Sequence, residues 1–366
     1  MADPRRIPAS SVVGGAPVRG RIPHSRPTLG EEDRRALAEA VASGHIAQGP
    51  RVAAFEHEMA ARLGVRGAVA TSSGTAALAL ALLALNVGEG DEVLVPSYTC
   101  AALLHAVRAV RALPRLVDCD PVSFNMDPET AKRACSPRTK ALIVVHSFGL
   151  PAELTALKAL GLPLIDDAAQ ALGAEDRGRP VGGLGDAGIV SFYATKLLTT
   201  GEGGMLFSND ERILAVARDL REYDQKDDDR PRFNYKMTDL QAALGLAQAT
   251  RFAGFLERRR ALAALYRTRL GHLPLQHPLA PPDRTPVSYR YVVKGPRPAD
   301  HYLSRLHALG VEARRPVYRP LHRYLGLDGF PGAEEAWERA VSLPLYPSLT
   351  DEEVERILRA AGDAVP

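Results

Sequence analysis

Short apolar runs rich in Val, Ile and Leu recur through the first two thirds of the chain: DEVLVPS (91–97), PRLVDCD (114–120), KALIVVHS (140–147), LPLIDDA (162–168), AGIVSFYA (187–194) and GMLFSND (204–210). Helix-like segments or Pro/Gly-bearing loops separate most of them. That alternation predicts βα units around a buried, mostly parallel sheet. Two helices are predicted ahead of it. GEEDRRALAEAVASG (30–44) has acidic residues in its first turn and Gly44 as a stop, and RVAAFEHEMAARLG (51–64) follows. Past residue 210 the pattern changes. ERILAVARDLREY (211–223) reads as a helix and YDQKDDDRPRFNYK (223–236) as a polar loop. Residues 238–270 read as one long helix or a broken pair, with Asp239 near the start. Then come a Pro-rich stretch, the strand-like SYRYVVKG (288–295), a helix around HYLSRLHALG (301–310) and a last helix, DEEVERILRAAG (351–362). The expected organisation is a large α/β domain over 1–250, with an extended lead-in over 1–28, and a smaller α+β domain over 251–366.

Composition narrows the classes. The 366 residues carry 46 basic and 43 acidic side chains, a net charge of +3, so no bulk field points to nucleic acid. Three cysteines without CxxC spacing argue against a disulfide framework and a cysteine-rich zinc site. No metal site is expected. No apolar run reaches spanning length and the first twenty residues have no apolar leader core, so a cytoplasmic protein without membrane contact is expected.

Three stretches carry candidate chemistry. In TSSGTAALALALLAL (71–85) hydroxyls and a glycine open an apolar helix; free N–H groups there make a phosphate cradle, or a serine simply caps the helix. In LPLIDDAAQALGA (162–174) two carboxylates end a strand, where ligands sit in open α/β sheets; they would pair with a cationic ring nitrogen, bind a metal or cap the next turn. In SFYATKLLTTGEGG (191–204) Lys196 stands between apolar residues. A lysine in a partly dry site is a usable nucleophile; one at a strand end also snorkels to water. Together, in this order, the three are the parts needed to hold pyridoxal 5′-phosphate, PLP.

SSGTAAL, GDEVLVPSYT, LIDDAAQALGA, SFYATKLLTTGEGGM and FNYKMTDLQAALGLAQ carry a resemblance. The chain resembles the DegT/DnrJ/EryC1/StrS family of PLP-dependent sugar aminotransferases, which have fold type I. The likeness runs from RPTLGEED to SLPLYPSLTDEEV. It implies that Lys196 forms the Schiff base with PLP and moves the proton, and that Asp167 meets the pyridine nitrogen while Asp166 points elsewhere. Gly74, Thr75 and Ser191 are implied as phosphate contacts, Gln170 as a neighbour of the ring, and Asn234 as a residue reaching the phosphate of the other subunit in a homodimer with shared active sites. A substrate edge is implied at GHIAQGP (44–50) and RRPVYRPLH (314–322), with Arg314, Arg315, Tyr318, Arg319 and His322 as candidates.

The resemblance further implies L-glutamate or L-glutamine as amino donor, a pyridoxamine 5′-phosphate form between half-reactions, and as acceptor a keto-sugar, more narrowly a nucleotide-linked keto-deoxysugar. Some positions depart from the family pattern. Cys100 stands where an aromatic residue commonly stacks on the cofactor, leaving Tyr98 or Cys100 itself for that contact; Ala194, Leu197 and His45 also differ from the common residues. A free keto-cyclitol is an alternative acceptor. A sugar dehydratase of the same fold replaces the lysine with histidine, and a non-catalytic regulator would show erosion of the lysine, aspartate or cradle.

Overall fold

The computed structural model describes residues 20–279 and 281–365. Its centre is a seven-stranded sheet of β1 (Gly67–Thr71), β2 (Glu92–Pro96), β3 (Leu113–Val117), β4 (Thr139–Val145), β5 (Leu164–Asp167), β6 (Ala187–Ser191) and β7 (Gly204–Ser208). The spatial order is β1-β7-β6-β5-β4-β2-β3. Pairing is parallel except at β7, which runs antiparallel to both β1 and β6. Apolar clusters cover the two faces, one with Phe55, Leu142, Phe192 and Phe207, the other with Leu80, Val93, Ile143 and Leu206. Burial on both faces explains why these strands read as continuous apolar runs. β1, the Ala-rich GAVAT, is absent from the sequence expectations because it lacks the β-branched signature of the others.

The predicted helices form as α1 (Glu31–Ala42) and α2 (Pro50–Leu63), followed by α3 (Gly74–Ala84) behind β1. Residues 239–270 form one unbroken helix, Asp239–Leu270, opened by a capping box between Thr238 and Gln241. Residue 250 therefore lies inside a helix. The change of packing partners comes later: Phe255 and Leu256 belong to the sheet's cluster, whereas Leu262, Tyr266 and Leu270 belong to a C-terminal one. That C-terminal body holds the antiparallel pair Tyr291–Lys294 and Ala340–Leu343 with helices Ala299–Ala308 and Asp351–Ala364.

Residues 1–19 of the expected lead-in lie outside the described residues. Residues 20–26 lie against the C-terminal body. Ile22 is buried there, donates its N–H to the Gly310 carbonyl at 2.9 Å and bridges to Val311. Among the described residues no helix is long and apolar enough to cross a membrane, and no cluster of side chains is arranged to hold a metal ion.

Candidate active site

The site gathers at the carboxyl ends of β5 and β6. The chain leaves β6 at Ser191, buries Phe192 against Phe55 with ring centroids 5.0 Å apart, and turns back. The turn is held by Lys196 N–H to the Tyr193 carbonyl at 2.8 Å and Thr200 N–H to the Phe192 carbonyl at 2.9 Å. Leu197 and Leu198 then enter the core. The apolar neighbours thus anchor the turn, leaving Lys196 partly buried. Its Nζ lies over the ring of Tyr289, 5.1 Å from the centroid.

β5 sends its two carboxylates to different surroundings, as the alternation of side chains along a strand requires. Asp166 is fully buried. It accepts from Gly182 N–H at 2.7 Å, Leu184 N–H at 2.8 Å and His146 Nε2 at 2.5 Å. His146 Nδ1 accepts from Ala152 N–H at 2.9 Å, which assigns the ring proton to Nε2. Asp167 accepts one N–H, from Ala169 at 2.9 Å. Burial pushes its carboxyl up to about 6, against the Ala169 N–H and the Lys196 ammonium, which pull it down. A buried carboxylate with one hydrogen-bond donor and a lysine for company suits a cationic ring nitrogen.

The phosphate end is built from close backbone approach. Ser73 caps α3 by accepting from Ala76 N–H at 3.1 Å, so capping and an open helix N-terminus coexist. A Cβ added at Gly74 would stand 2.9 Å from Ser191 Cβ, so glycine lets the helix start meet the end of β6. Thr75 is partly buried in the same turn. The FNYK segment docks alongside: Ser72 N–H donates to the Tyr235 carbonyl at 2.7 Å, Lys236 bridges to Thr71, and Asn234 is exposed. Gln170 Oε1 accepts from Phe148 N–H at 3.1 Å. Gly74, Thr75, Asp167, Ser191 and Lys196 therefore fit PLP, with a helix N-terminus for its phosphate and a buried carboxylate for its ring.

Three expectations are corrected. Tyr98 does not offer a ring face: it is 2% exposed, packs against Phe124 and Phe148, and donates its hydroxyl to the Ala336 carbonyl at 3.2 Å. Cys100 is the exposed residue of the pair. His322 does not face a substrate either. It is 2% exposed, with Nδ1 on Ser97 Oγ at 2.7 Å and Nε2 on Glu334 at 2.5 Å. Arg315 is likewise committed, to both Asp300 oxygens and the Trp337 ring. Arg314 keeps a half-exposed side chain and Tyr318 is 83% exposed, so both remain open to a ligand.

Tyr289 is a site residue that the sequence expectations omit. Burial raises its phenol. The Lys196 ammonium, the Arg290 guanidinium and hydrogen bonds with the Thr195 and Arg290 side chains outweigh burial and bring it down to about 7. The YRY triplet ahead of a strand is the available signal, but nothing local ties it to Lys196.

With this geometry in view, comparison with known proteins decides the family. The model of the DegT/DnrJ/EryC1/StrS aminotransferase family matches residues 27–361. The chain belongs to that family. It is 35% identical to the GDP-perosamine synthase of Caulobacter vibrioides, over 93% of this chain and 97% of that one. Among solved structures it is similar to the aminotransferase TlmJ of Streptoalloteichus hindustanus, with 34% identity, a TM-score of 0.89, and 94% of this chain and 99% of that one covered. Spr1654 of Streptococcus pneumoniae in its PMP form has 27% identity and a TM-score of 0.90, covering 94% and 98%. The chain is thus a sugar aminotransferase of fold type I, and its cofactor is PLP.

Proposed function

We propose that this aminotransferase moves an amino group from L-glutamate or L-glutamine to a nucleotide-linked keto-deoxysugar, with Lys196 as the proton carrier. The observation that carries the reading is the placement of Lys196 on a turn anchored in the core, electrostatically coupled to buried Asp167. PLP, when bound, supplies an electron sink for the carbon that loses its proton. The N–H groups opening α3, with Gly74, Thr75 and Ser191, hold the phosphate. Asp167, ionised, keeps the ring nitrogen protonated. Lys196 Nζ would take the proton from the donor's α-carbon and keep it within the site, and in the second half-reaction would return one to the acceptor carbon.

The relative named GDP-perosamine synthase supports a nucleotide-linked acceptor. So does the exposed stretch with Arg314, Tyr318 and Arg319, because guanidinium groups suit phosphate geometry. Exposed Asn234, on a segment docked beside the cradle, supports a C2 homodimer in which each subunit completes the other's site. Three unpaired cysteines suit a reducing compartment and hence action in the cytoplasm.

The test is the absorbance of the PLP-loaded protein before and after L-glutamate or L-glutamine, with Lys196→Ala beside it. Wild type should convert to the pyridoxamine form and regain its first spectrum on adding a nucleotide-linked keto-sugar. Lys196→Ala should hold the cofactor noncovalently and show no conversion. Conversion at the wild-type rate in that variant refutes the role of Lys196.

A further inference from the structure

Tyr289 is buried, and its segment is pinned from two sides. Val287 N–H donates to the Gly149 carbonyl at 3.1 Å and Arg290 N–H to the Phe148 carbonyl at 3.4 Å. Gly149 has a φ of +97°, and a Cβ there would stand 2.9 Å from Tyr289 N, so glycine lets the two segments meet. From the long helix, Arg259 Nη1 donates to the Tyr289 carbonyl at 3.1 Å. The ring is therefore fixed, and the turn after β6 sets Lys196 Nζ over its face.

Cations crowd this phenol. Lys196 Nζ and the Arg290 guanidinium lie 5.1 and 5.4 Å from the ring centroid, and Arg259 is buried against its backbone. Burial lowers Arg259 to about 10, so it stays charged at neutral pH. Among the described residues neither Arg259 nor Arg290 is paired with a carboxylate. The Thr195 and Arg290 side chains hydrogen-bond the hydroxyl. The face of a neutral ring attracts a cation weakly, whereas several cations around one phenol favour its anion.

The cofactor sharpens the need for that anion. Asp167 is the carboxylate coupled to Lys196, and it becomes the counter-charge of the ring nitrogen once PLP is bound. A Lys196 that has taken a proton from the donor is then an ammonium in a partly buried place, with its carboxylate already engaged. We propose that Tyr289, as its phenolate, is the counter-charge that holds Lys196 Nζ while the lysine carries a proton, and is thus a positioning residue of the reaction. No bond forms or breaks at Tyr289: the proton stays on Nζ until the lysine gives it up. This rests on the reading of Lys196 as proton carrier.

The experiment is a titration of the cofactor-free protein from about pH 5 to 9, read by the near-ultraviolet absorbance of phenolate. Burial raises the phenols of Tyr98, Tyr266, Tyr291 and Tyr346, whereas that of Tyr289 is brought down to about 7, so a phenolate step near neutral pH reports Tyr289. Wild type should show the step and Tyr289→Phe should lose it. Lys196→Met, which removes the charge, should move the step to higher pH by about one pH unit or more, and Lys196→Arg should recover most of that movement. A ring that only packs against the turn would not respond to the charge of Lys196. With PLP and L-glutamate, Tyr289→Phe should lower the limiting single-turnover rate about tenfold, the loss of one charge-assisted contact in the proton-carrying state, and leave the half-saturating glutamate concentration within about threefold. A step that stays in place in Lys196→Met or survives in Tyr289→Phe overturns the proposal, as does a Tyr289→Phe rate equal to wild type. If L-glutamate does not convert the wild type, the donor reading fails, and the titration of the cofactor-free variants alone then decides the role of Tyr289.

Discussion

Asp167→Asn separates the cost of burying a carboxylate from its use. In the cofactor-free protein the Asp167 carboxyl is raised from 3.8 to about 6, chiefly by burial. Two units are worth about 3 kcal/mol. Below about pH 4 both folded and unfolded chains carry the proton and the group contributes nothing. Between about 4 and 6 the unfolded chain has ionised while the folded one holds its proton, so stability falls as pH rises. Above about 6 the full penalty is present. Asparagine carries no charge and still accepts from Ala169 N–H. Urea unfolding of cofactor-free wild type and variant from pH 4 to 8 should therefore show equal stability at the acid end. At pH 8 the variant should be more stable by up to about 3 kcal/mol. With PLP present the order of usefulness reverses, and the variant should be severely impaired in turnover because the ring nitrogen loses its counter-charge. A variant less stable than wild type at pH 8, or a stability gap that ignores pH, refutes the reasoning.

Other residues make separate predictions. Gly74→Ala places a Cβ 2.9 Å from Ser191 Cβ and should weaken PLP binding about tenfold, read by fluorescence titration of the cofactor-free protein. Tyr289→Phe removes the phenol that sits near 7, so the pH profile of single-turnover conversion should lose an inflection there; an unchanged profile excludes Tyr289 from it. Asp166→Asn sets an amide against three donors and should cost about 3 kcal/mol of stability, while the variant that remains folded still converts with L-glutamate. An unchanged urea midpoint would deny Asp166 its structural role.

Local chemistry decided what was legible in the sequence. Lys196, Asp167, Gly74 and Ser191 sit inside contiguous stretches whose order suffices to relate them, and the structure brings Gly74 against Ser191 and couples Lys196 to Asp167. The apolar runs become strands because both faces of the sheet are covered, while β1 escaped notice for want of bulky residues. Long-range partners decided the rest. His322 is withdrawn from the surface by Ser97, 225 positions away, and His24 is bound to Ser342 across 318 positions. Such pairings leave no periodic trace, so all of RRPVYRPLH was expected as a substrate edge although its members differ in exposure. Tyr289, Arg290 and Arg259 escaped for the same reason.

The helix Asp239–Leu270 works as a phase link. Gln248 ties it to Asp33, and Arg259 ties it to the carbonyls of Tyr289 and Leu345 three turns on. Each residue advances a helix by about 1.5 Å and turns it by roughly 100°. One residue inserted between Gln248 and Arg259 would thus swing Arg259 away from Tyr289 while leaving every local sequence preference intact. Loops elsewhere can lengthen or shorten as lineages diverge, but this span has a fixed count. A chimaera with a relative joined here must match that count to the residue, or Arg259 loses the carbonyls of Tyr289 and Leu345.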